Sequence, residues 1–155
     1  MTNDVNVKLK EANKQIEVGL NLFSTQWSKL IQFLIEGEIV RLFKEKQIEI
    51  EYTSTKIKGK GLDFDIIAHS GTKIIVVEVK TNLKVSDVEK FKSKLGKINT
   101  MMQTYRHQEV YGAVAYLKAD EQSDTYSESK GLWVIRATGD SASIIDREHF
   151  KPKIY

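Results

Sequence analysis

The stretch DFDIIAHSGTKIIVVEVK, residues 63–80, contains two aliphatic runs joined by a Ser-Gly pair. A glycine-containing turn between two apolar runs is typical of a β-hairpin. The runs are almost wholly aliphatic, which indicates strands buried on both faces. They nevertheless contain Asp63, Asp65, Glu78 and Lys80. Because unpaired charges are costly to bury, this placement indicates a functional site rather than an ordinary solvated surface.

The register of the hairpin predicts where these charges meet. With the turn at residues 70–71, antiparallel pairing places Asp63 opposite Glu78 and leaves Asp65 diagonal to Glu78. Strand alternation puts Glu78 and Lys80 on the same face. The four charges are therefore expected to converge on one side of the hairpin, without separating Asp63 from Asp65 as the principal carboxylate. A salt-bridged polar face, with Glu78 paired to Lys80, is the simpler structural alternative.

A preceding helix adds one more carboxylate. Residues 26–45 carry apolar residues at helical spacing, and Glu38 lies on the apolar side, close in phase to Leu34 and Leu42. A carboxylate that faces the core needs a partner there. The strand cluster would supply one through a shared metal ion.

The remaining pattern predicts the fold class. After the first helix come a strand near residues 47–55, the hairpin, a long helix over 86–106, a buried strand, a short helix and two more strands. This order predicts an α/β protein with a mixed sheet flanked by helices. We divide the chain into an N-terminal helical extension, residues 1–23, and one domain, residues 24–155.

Composition limits the classes of function. With 155 residues, 41% hydrophobic and 29% charged, the chain has the balance of a soluble globular protein. The absence of cysteine excludes disulfides and thiolate metal sites, and it suits the cytoplasm. No apolar run reaches membrane-spanning length. A net charge of +3 permits a polyanionic partner without requiring one.

The N-terminal region predicts self-association. Apolar residues recur at alternating steps of three and four, as in a short coiled-coil seam, which favours a homodimer through residues 5–34. We expect Gly19 and the Ser24-Thr25 pair to divide this region into two helices. A helical hairpin packed on its own domain is the alternative. The seam residues are Leu9, Ile16, Leu20, Phe23, Trp27, Leu30 and Leu34.

The strand residues Asp65 and Glu78-Val79-Lys80, preceded by a helical glutamate, resemble the motif of the PD-(D/E)xK nuclease superfamily. More narrowly, segments such as VVEVKTNLKVSDVEKF and VYGAVAYL are similar to bacterial, often cyanobacterial, proteins with a helical segment before a nuclease-like domain. The resemblance covers about residues 26–155. It implies a restriction-endonuclease-like αβββαβ core. Phe64 stands where the motif's name has proline.

The resemblance also implies roles for individual residues. Asp65, rather than Asp63, would be the metal ligand, together with Glu78 and the Val79 carbonyl, and the metal would be Mg²⁺ or Mn²⁺. Glu38 would hold a metal-bound water or a second ion, and Lys80 would orient the attacking water or stabilise the transition state. Basic residues that would contact nucleic acid are Lys56, Lys58, Lys60 and Lys84.

The leading hypothesis is thus a metal-dependent nuclease that acts on DNA. The alternative from another class is a nuclease-like domain kept as a nucleic-acid-binding or assembly module with little catalysis. A purely structural dimer, based on the N-terminal seam, is a third interpretation.

Overall fold

The computed structural model describes residues 2–138, 140–145, 147 and 150–155, with the side chains of the first helix described at 6–12, at 15 and from 26 onward. The helices are α1 (Thr2–Lys44), α2 (Val85–Leu95), α3 (Ile98–Met101) and α4 (Ser123–Ser129), with a 3₁₀ turn at Gln103–Tyr105. The strands are β1 (Tyr52–Gly59), β2 (Leu62–Ser70), β3 (Lys73–Leu83), β4 (Glu109–Ala119), β5 (Trp133–Thr138) and β6 (Ser141–Ile145).

The strands form one six-stranded mixed sheet in the order β1-β2-β3-β4-β5-β6. The β1–β2, β2–β3 and β5–β6 pairs are antiparallel, whereas β3–β4 and β4–β5 are parallel. Parallel neighbours need a crossover connection, and α2 and α4 lie in the two connections concerned. This confirms the predicted α/β fold class and the αβββαβ order of its core.

Helices cover both faces of the sheet. On one face Ile35 and Ile39 of α1 belong to a buried cluster with Val77 of β3. On the other face Phe91 of α2 belongs to a second cluster with Val76 of β3. Burial on both faces explains why β3 is a continuous aliphatic run, and it confirms that interpretation of the sequence.

The first helix is longer and less interrupted than expected. It runs without a break from Thr2 to Lys44, so the predicted division at Gly19 and residues 24–25 is wrong. One interior glycine costs a helix only about 1 kcal/mol, which the rest of a 43-residue helix can offset. The seam side chains of residues 16, 20 and 23 lie outside those described.

The predicted helix over residues 86–106 is also corrected. α2 ends at Leu95 and is followed by Gly96, after which the chain forms α3 and the 3₁₀ turn. The side-chain amide of Asn99 donates hydrogen bonds to the carbonyls of Tyr105 (2.9 Å) and Gln108 (2.8 Å). These side-chain bonds stabilise a turn where an apolar helical pattern alone predicted more helix.

The hairpin register differs by two residues from the predicted one. Ser70 pairs with Lys73 and Ile67 pairs with Val76, so the two turn residues are 71 and 72 rather than 70 and 71. Gly71 has φ +59°, whereas Thr72 has no positive φ, which is the pattern of a type II′ turn with glycine at its first central position. The expected placement of Asp63 opposite Glu78, with Asp65 only diagonal to it, is therefore wrong.

Candidate active site

The regular alternation of strand β2 breaks at Asp65. Phe64 packs in the cluster beneath α2, whereas Ile66, two residues later, packs in the cluster beneath α1. On β1, Ile57 pairs with Phe64 and Thr55 with Ile66, while Lys56 between them has φ +52°. Asp65 therefore lies at a local distortion of the strand, on either side of which Phe64 and Ile66 point to opposite faces of the sheet.

The side chain of Asp65 accepts a hydrogen bond that a backbone carbonyl of β2 would otherwise accept from β3. The pairing of β2 with β3 ends at Ile66 and Val77, and the Val79 amide instead donates a 2.8 Å hydrogen bond to Asp65 Oδ2. From α1, Gln32 Nε2 donates to the Asp65 carbonyl at 3.4 Å. Continuing the register past Ile66 brings Asp65 opposite Glu78. Asp65 and Glu78 are thus neighbours at the point where the strands separate.

Burial dominates the electrostatics of Asp65. It raises the pKa of this carboxyl, although the Val79 hydrogen bond and the ammonium groups of Lys94 and Lys80 act in the opposite direction. Asp63 raises the pKa slightly further. Asp65 is therefore a partly desolvated carboxylate whose negative charge is only partly compensated.

Glu78 is the more enclosed of the two carboxylates, with a side chain only 13% exposed. Its Oε2 lies 3.2 Å from Lys94 Nζ, and its Oε1 lies 4.0 Å from Lys80 Nζ. The Lys94 ammonium donates its hydrogen bond to the Asp63 carbonyl (3.0 Å), and within the described part of the chain Glu78 Oε2 accepts none. Burial chiefly raises the pKa of Glu78; Lys94 lowers it and Asp65 raises it.

The two aspartates differ clearly in environment. The Asp63 side chain is 73% exposed and reaches Lys94 Nζ at 3.7 Å. Asp65 is partly buried and bonded to the β3 backbone. The two side chains thus differ in burial and in hydrogen bonding, and the metal-ligand role of Asp65 stays a prediction.

Lys80 lies between two acidic groups. Its Nζ is 4.0 Å from Glu78 Oε1 and 4.0 Å from Asp87 Oδ1, and 40% of the side chain is exposed. Asp87 is fixed by accepting the Lys84 amide at 3.0 Å. An ammonium that is partly solvated and held by long contacts remains free to turn toward a bound anion.

The structure does not bring Glu38 to the strand carboxylates. Its Oε2 lies 2.6 Å from Arg41 Nε, one helical turn later, and Arg41 also donates to the Ala142 carbonyl of β6. In the part of the chain that the structure describes, no group of three or more His, Cys, Asp or Glu side chains is placed to hold a metal ion. Arg41 is therefore the partner that balances the charge of Glu38 in this structure. The catalytic role of Glu38 stays a prediction.

A groove lined by two lysines and two aspartates opens at Asp65. The groove has a volume of about 390 Å³ and is bounded by α1, β1 and β2. Its lining includes two of the four lysines predicted to contact nucleic acid, Lys56 and Lys58. Lys60 and Lys84 are exposed but do not line it. The lining residues are Gln32, Lys56, Ile57, Lys58, Asp63, Phe64 and Asp65.

Two residues of the site were not singled out from the sequence. Gln32 is a polar residue inside the apolar segment LIQFLI, a signal that could have been used. Lys94 was one of several lysines on an amphipathic helix, and nothing in its spacing distinguished it. Only packing of α2 against β2 and β3 shows that its ammonium reaches Glu78 and lies 5.2 Å from the centre of the Phe64 ring.

The mixed sheet and its helices define an α/β protein with an αβββαβ core. The chain belongs to the family described as a domain of unknown function (DUF8196), whose model matches residues 37–144. None of the curated proteins compared with the chain matches it. No helix in the described residues is long and apolar enough to cross a membrane.

Several solved structures are similar over part of their length. A repair endonuclease from Pyrococcus abyssi is 16% identical, with a TM-score of 0.45 over 66% of this chain and 46% of that one. EndoMS in a double-stranded DNA complex is 14% identical, with a TM-score of 0.42 over 72% and 45%. A protein of unknown function from Silicibacter pomeroyi is 13% identical, with a TM-score of 0.42 over 76% and 70%. The chain spans less than half of the first two, and no activity follows from these likenesses.

Proposed function

We propose that this protein is a metal-dependent nuclease that hydrolyses phosphodiester bonds of nucleic acid, with DNA as the substrate. The observation that carries the proposal is the pair of desolvated carboxylates, Asp65 and Glu78, where β2 and β3 separate beside a lysine-lined groove. Two acidic side chains with raised pKa values close to basic groups are typical of functional sites.

The donor set fits Mg²⁺ or Mn²⁺. Both ions prefer oxygen ligands, and Mg²⁺ keeps several waters, so it is commonly held by one or two carboxylates. Asp65 and Glu78 would supply these, with the Val79 carbonyl as the third protein ligand, and at the buried Glu78 Oε2 the ion would compete with the Lys94 ammonium, which lies 3.2 Å away. When bound, the ion would supply a Lewis acid and a more acidic water.

The chain's own residues would position the substrate. Lys56 and Lys58 would hold backbone phosphates in the groove, since ammonium groups neutralise phosphate without reading sequence. Lys80, partly exposed beside Glu78, would place positive charge on the phosphorus oxygens as negative charge develops. Gln32 would keep β2 in place through the Asp65 carbonyl.

A nuclease assay tests this function directly. Duplex DNA, single-stranded DNA and RNA would be incubated with Mg²⁺, Mn²⁺ or EDTA. We expect metal-dependent cleavage of DNA that Asp65→Asn and Glu78→Gln each reduce by more than about 100-fold, the scale of losing one electrostatic group in a transition state.

The control is Asp63→Asn, which removes the exposed carboxylate of the same strand and should leave most activity. No metal-dependent cleavage of any substrate by the unaltered protein would contradict the proposal. Cleavage that survives in both Asp65→Asn and Glu78→Gln would show that the activity lies elsewhere.

A second candidate is the nuclease-like module with little catalysis. One observation favours it: Glu78 faces Lys94 at 3.2 Å and Lys80 at 4.0 Å, so two lysines already oppose its charge. A ligand that binds only the folded state raises the melting temperature. A rise with Mn²⁺ that is lost in Glu78→Gln supports the enzyme, whereas no rise together with retained DNA binding supports the module.

A further inference from the structure

The C-terminal segment, residues 150–155, is fastened across the end of α4 and the start of β5. The Lys153 amide donates to the Gly131 carbonyl at 3.0 Å, and the Tyr155 amide donates to the Val110 carbonyl at 2.8 Å. The Tyr155 hydroxyl donates to the Lys130 carbonyl. Three hydrogen bonds on three different residues give this segment a defined position on the body of the protein.

Gly131 makes the close approach of this segment possible. Its φ is +76°, and a methyl group placed on it would lie 2.4 Å from Cβ and 2.7 Å from N of Lys153. Only glycine adopts this conformation freely and leaves room for the crossing backbone. The position of Lys153 is therefore built into the fold.

The fastened segment completes a cationic pocket of about 540 Å³. Four lysines line it, one from α2, one directly after α4 and two from the segment: Lys92, Lys130, Lys151 and Lys153. Within the ranges that the structure describes, Lys130, Lys151 and Lys153 take part in no ion pair. Glu128 also lines the pocket, but its Oε2 lies 3.6 Å from Arg147 Nε. Positive charge thus predominates in the pocket.

Aromatic rings, rather than carboxylates, hold two of these ammonium groups. Lys153 Nζ lies 4.9 Å from the centre of the Tyr155 ring, and Lys130 Nζ lies 5.3 Å from that of Tyr126. A cation–π contact orients an ammonium group without cancelling its charge. The lysines are therefore placed in advance and remain available to an anion.

The pocket lies on the flank of α2 opposite to the carboxylate site. Lys92 lines the pocket and Lys94 contacts Glu78, and residues two apart on a helix point about 200° away from each other. An α-helix with its side chains is about 10 Å wide. One nucleic acid can contact both flanks of such an element.

From this arrangement we propose that the pocket formed by Lys92, Lys130, Lys151 and Lys153 binds backbone phosphates of the nucleic acid. This inference rests on the proposed function for the identity of its ligand. The contacts would add affinity and register without reading sequence, because phosphate contacts position a duplex and base contacts specify it.

The test compares two double variants that remove the same charge. Lys151→Gln with Lys153→Gln alters the pocket, and Lys8→Gln with Lys10→Gln alters exposed lysines at the far end of α1. Fluorescence anisotropy with a 20-base-pair duplex, in EDTA, measures binding without cleavage. We expect the pocket variant to weaken binding on the order of tenfold and to lower the slope of log K against log salt by about 2, as for two lost phosphate contacts.

Equal weakening in the two double variants would overturn the proposal, since it would show only a general effect of charge. Gly131→Ala provides a second arm that displaces Lys153 without removing charge, and it should weaken binding as well if it remains folded by circular dichroism. Inorganic tripolyphosphate is the third probe. Binding of tripolyphosphate as tight as that of the duplex, at equal ionic strength, would overturn the nucleic-acid assignment in favour of a small polyphosphate.

The outcome is separable from that of the nuclease proposal. Binding that depends on Lys151 and Lys153 but is accompanied by no cleavage would support the pocket and contradict the enzyme. Cleavage that depends on Asp65, with binding indifferent to Lys151 and Lys153, would do the reverse.

Discussion

Asp65 and Glu78 carry the chemistry at the scale of single residues, and both carboxyl groups have pKa values raised mainly by burial. A group whose pKa is higher in the folded than in the unfolded chain stabilises the fold while it is protonated. That contribution is complete below the unfolded pKa, about 4 for these side chains, and is lost as the pH rises through the folded value. Both residues therefore favour the fold more at acidic than at neutral pH.

Glu78→Gln tests this sign. In metal-free buffer, the melting temperature of the variant relative to the unaltered protein should increase as the pH is raised from 4 to 7, because the variant has no buried charge to develop. A change of roughly 2–4 °C would correspond to about 1 kcal/mol in a domain of this size. Thermal melts at several pH values measure it, with Glu11→Gln, an exposed position, as the control. If the melting temperatures of Glu78→Gln and the unaltered protein changed with pH in parallel, the prediction would be contradicted.

Lys94 supplies a second prediction at the same scale. Its Nζ lies 3.2 Å from Glu78 Oε2 and competes with a divalent cation for that oxygen. Lys94→Gln should therefore lower, several-fold, the Mn²⁺ concentration that gives half of the thermal shift. Lys90→Gln, on the exposed side of the same helix, is the matched control. A weaker metal response in Lys94→Gln than in Lys90→Gln would mean that Lys94 does not oppose the cation.

At the scale of elements, two glycines in different settings should respond oppositely to the same change. Gly131→Ala places a side chain at φ +76° and against Lys153, so we expect a loss of about 1–3 kcal/mol. Gly37 lies inside α1 with no atom within 4 Å of an added methyl group. Gly37→Ala should therefore stabilise the protein by about 0.5–1 kcal/mol.

Chemical denaturation of both variants measures these changes. Similar effects of the two substitutions would show that the C-terminal segment is not held as the hydrogen bonds of Lys153 and Tyr155 indicate.

At the scale of the whole molecule, α1 presents apolar residues to solvent. Leu30, Phe33 and Val40 are 61%, 77% and 48% exposed and follow helical spacing on one side. Trp27 and Leu34, which the sequence pattern assigned to the seam, pack against the sheet instead. We propose that the protein self-associates through α1, with the exposed Leu9 and Leu30 as the described seam residues.

Light scattering at micromolar concentration tests self-association. A dimer is expected for the unaltered protein. Leu30→Ser with Phe33→Ser should give a monomer, because the dimer would lose the free energy of burying these side chains, about 25 cal/mol for each Å² of apolar surface. Lys29→Gln, an exposed polar change on the same helix, should leave the dimer intact. A monomer before any substitution would contradict the proposal.

The sequence by itself determined the fold class and the residues of the hairpin site. Continuous aliphatic runs and the turn glycine predict β2 and β3, and charges inside those runs are improbable without a function. The local pattern therefore indicated Asp63, Asp65 and Glu78, and only the family resemblance chose Asp65 over Asp63. The order of helices and strands likewise predicts the mixed sheet. These features depend on neighbours close in the chain, where periodicity is a reliable guide.

Only the tertiary structure decided which groups meet across long sequence separations. The two-residue change in register follows from the conformation of Gly71, the Glu78 partner comes from α2, and Arg41 pairs with Glu38 while contacting β6. The cationic pocket joins Lys92 to a segment about 60 residues later. Such contacts depend on the packing of helices on the sheet, which residue spacing along the chain does not specify.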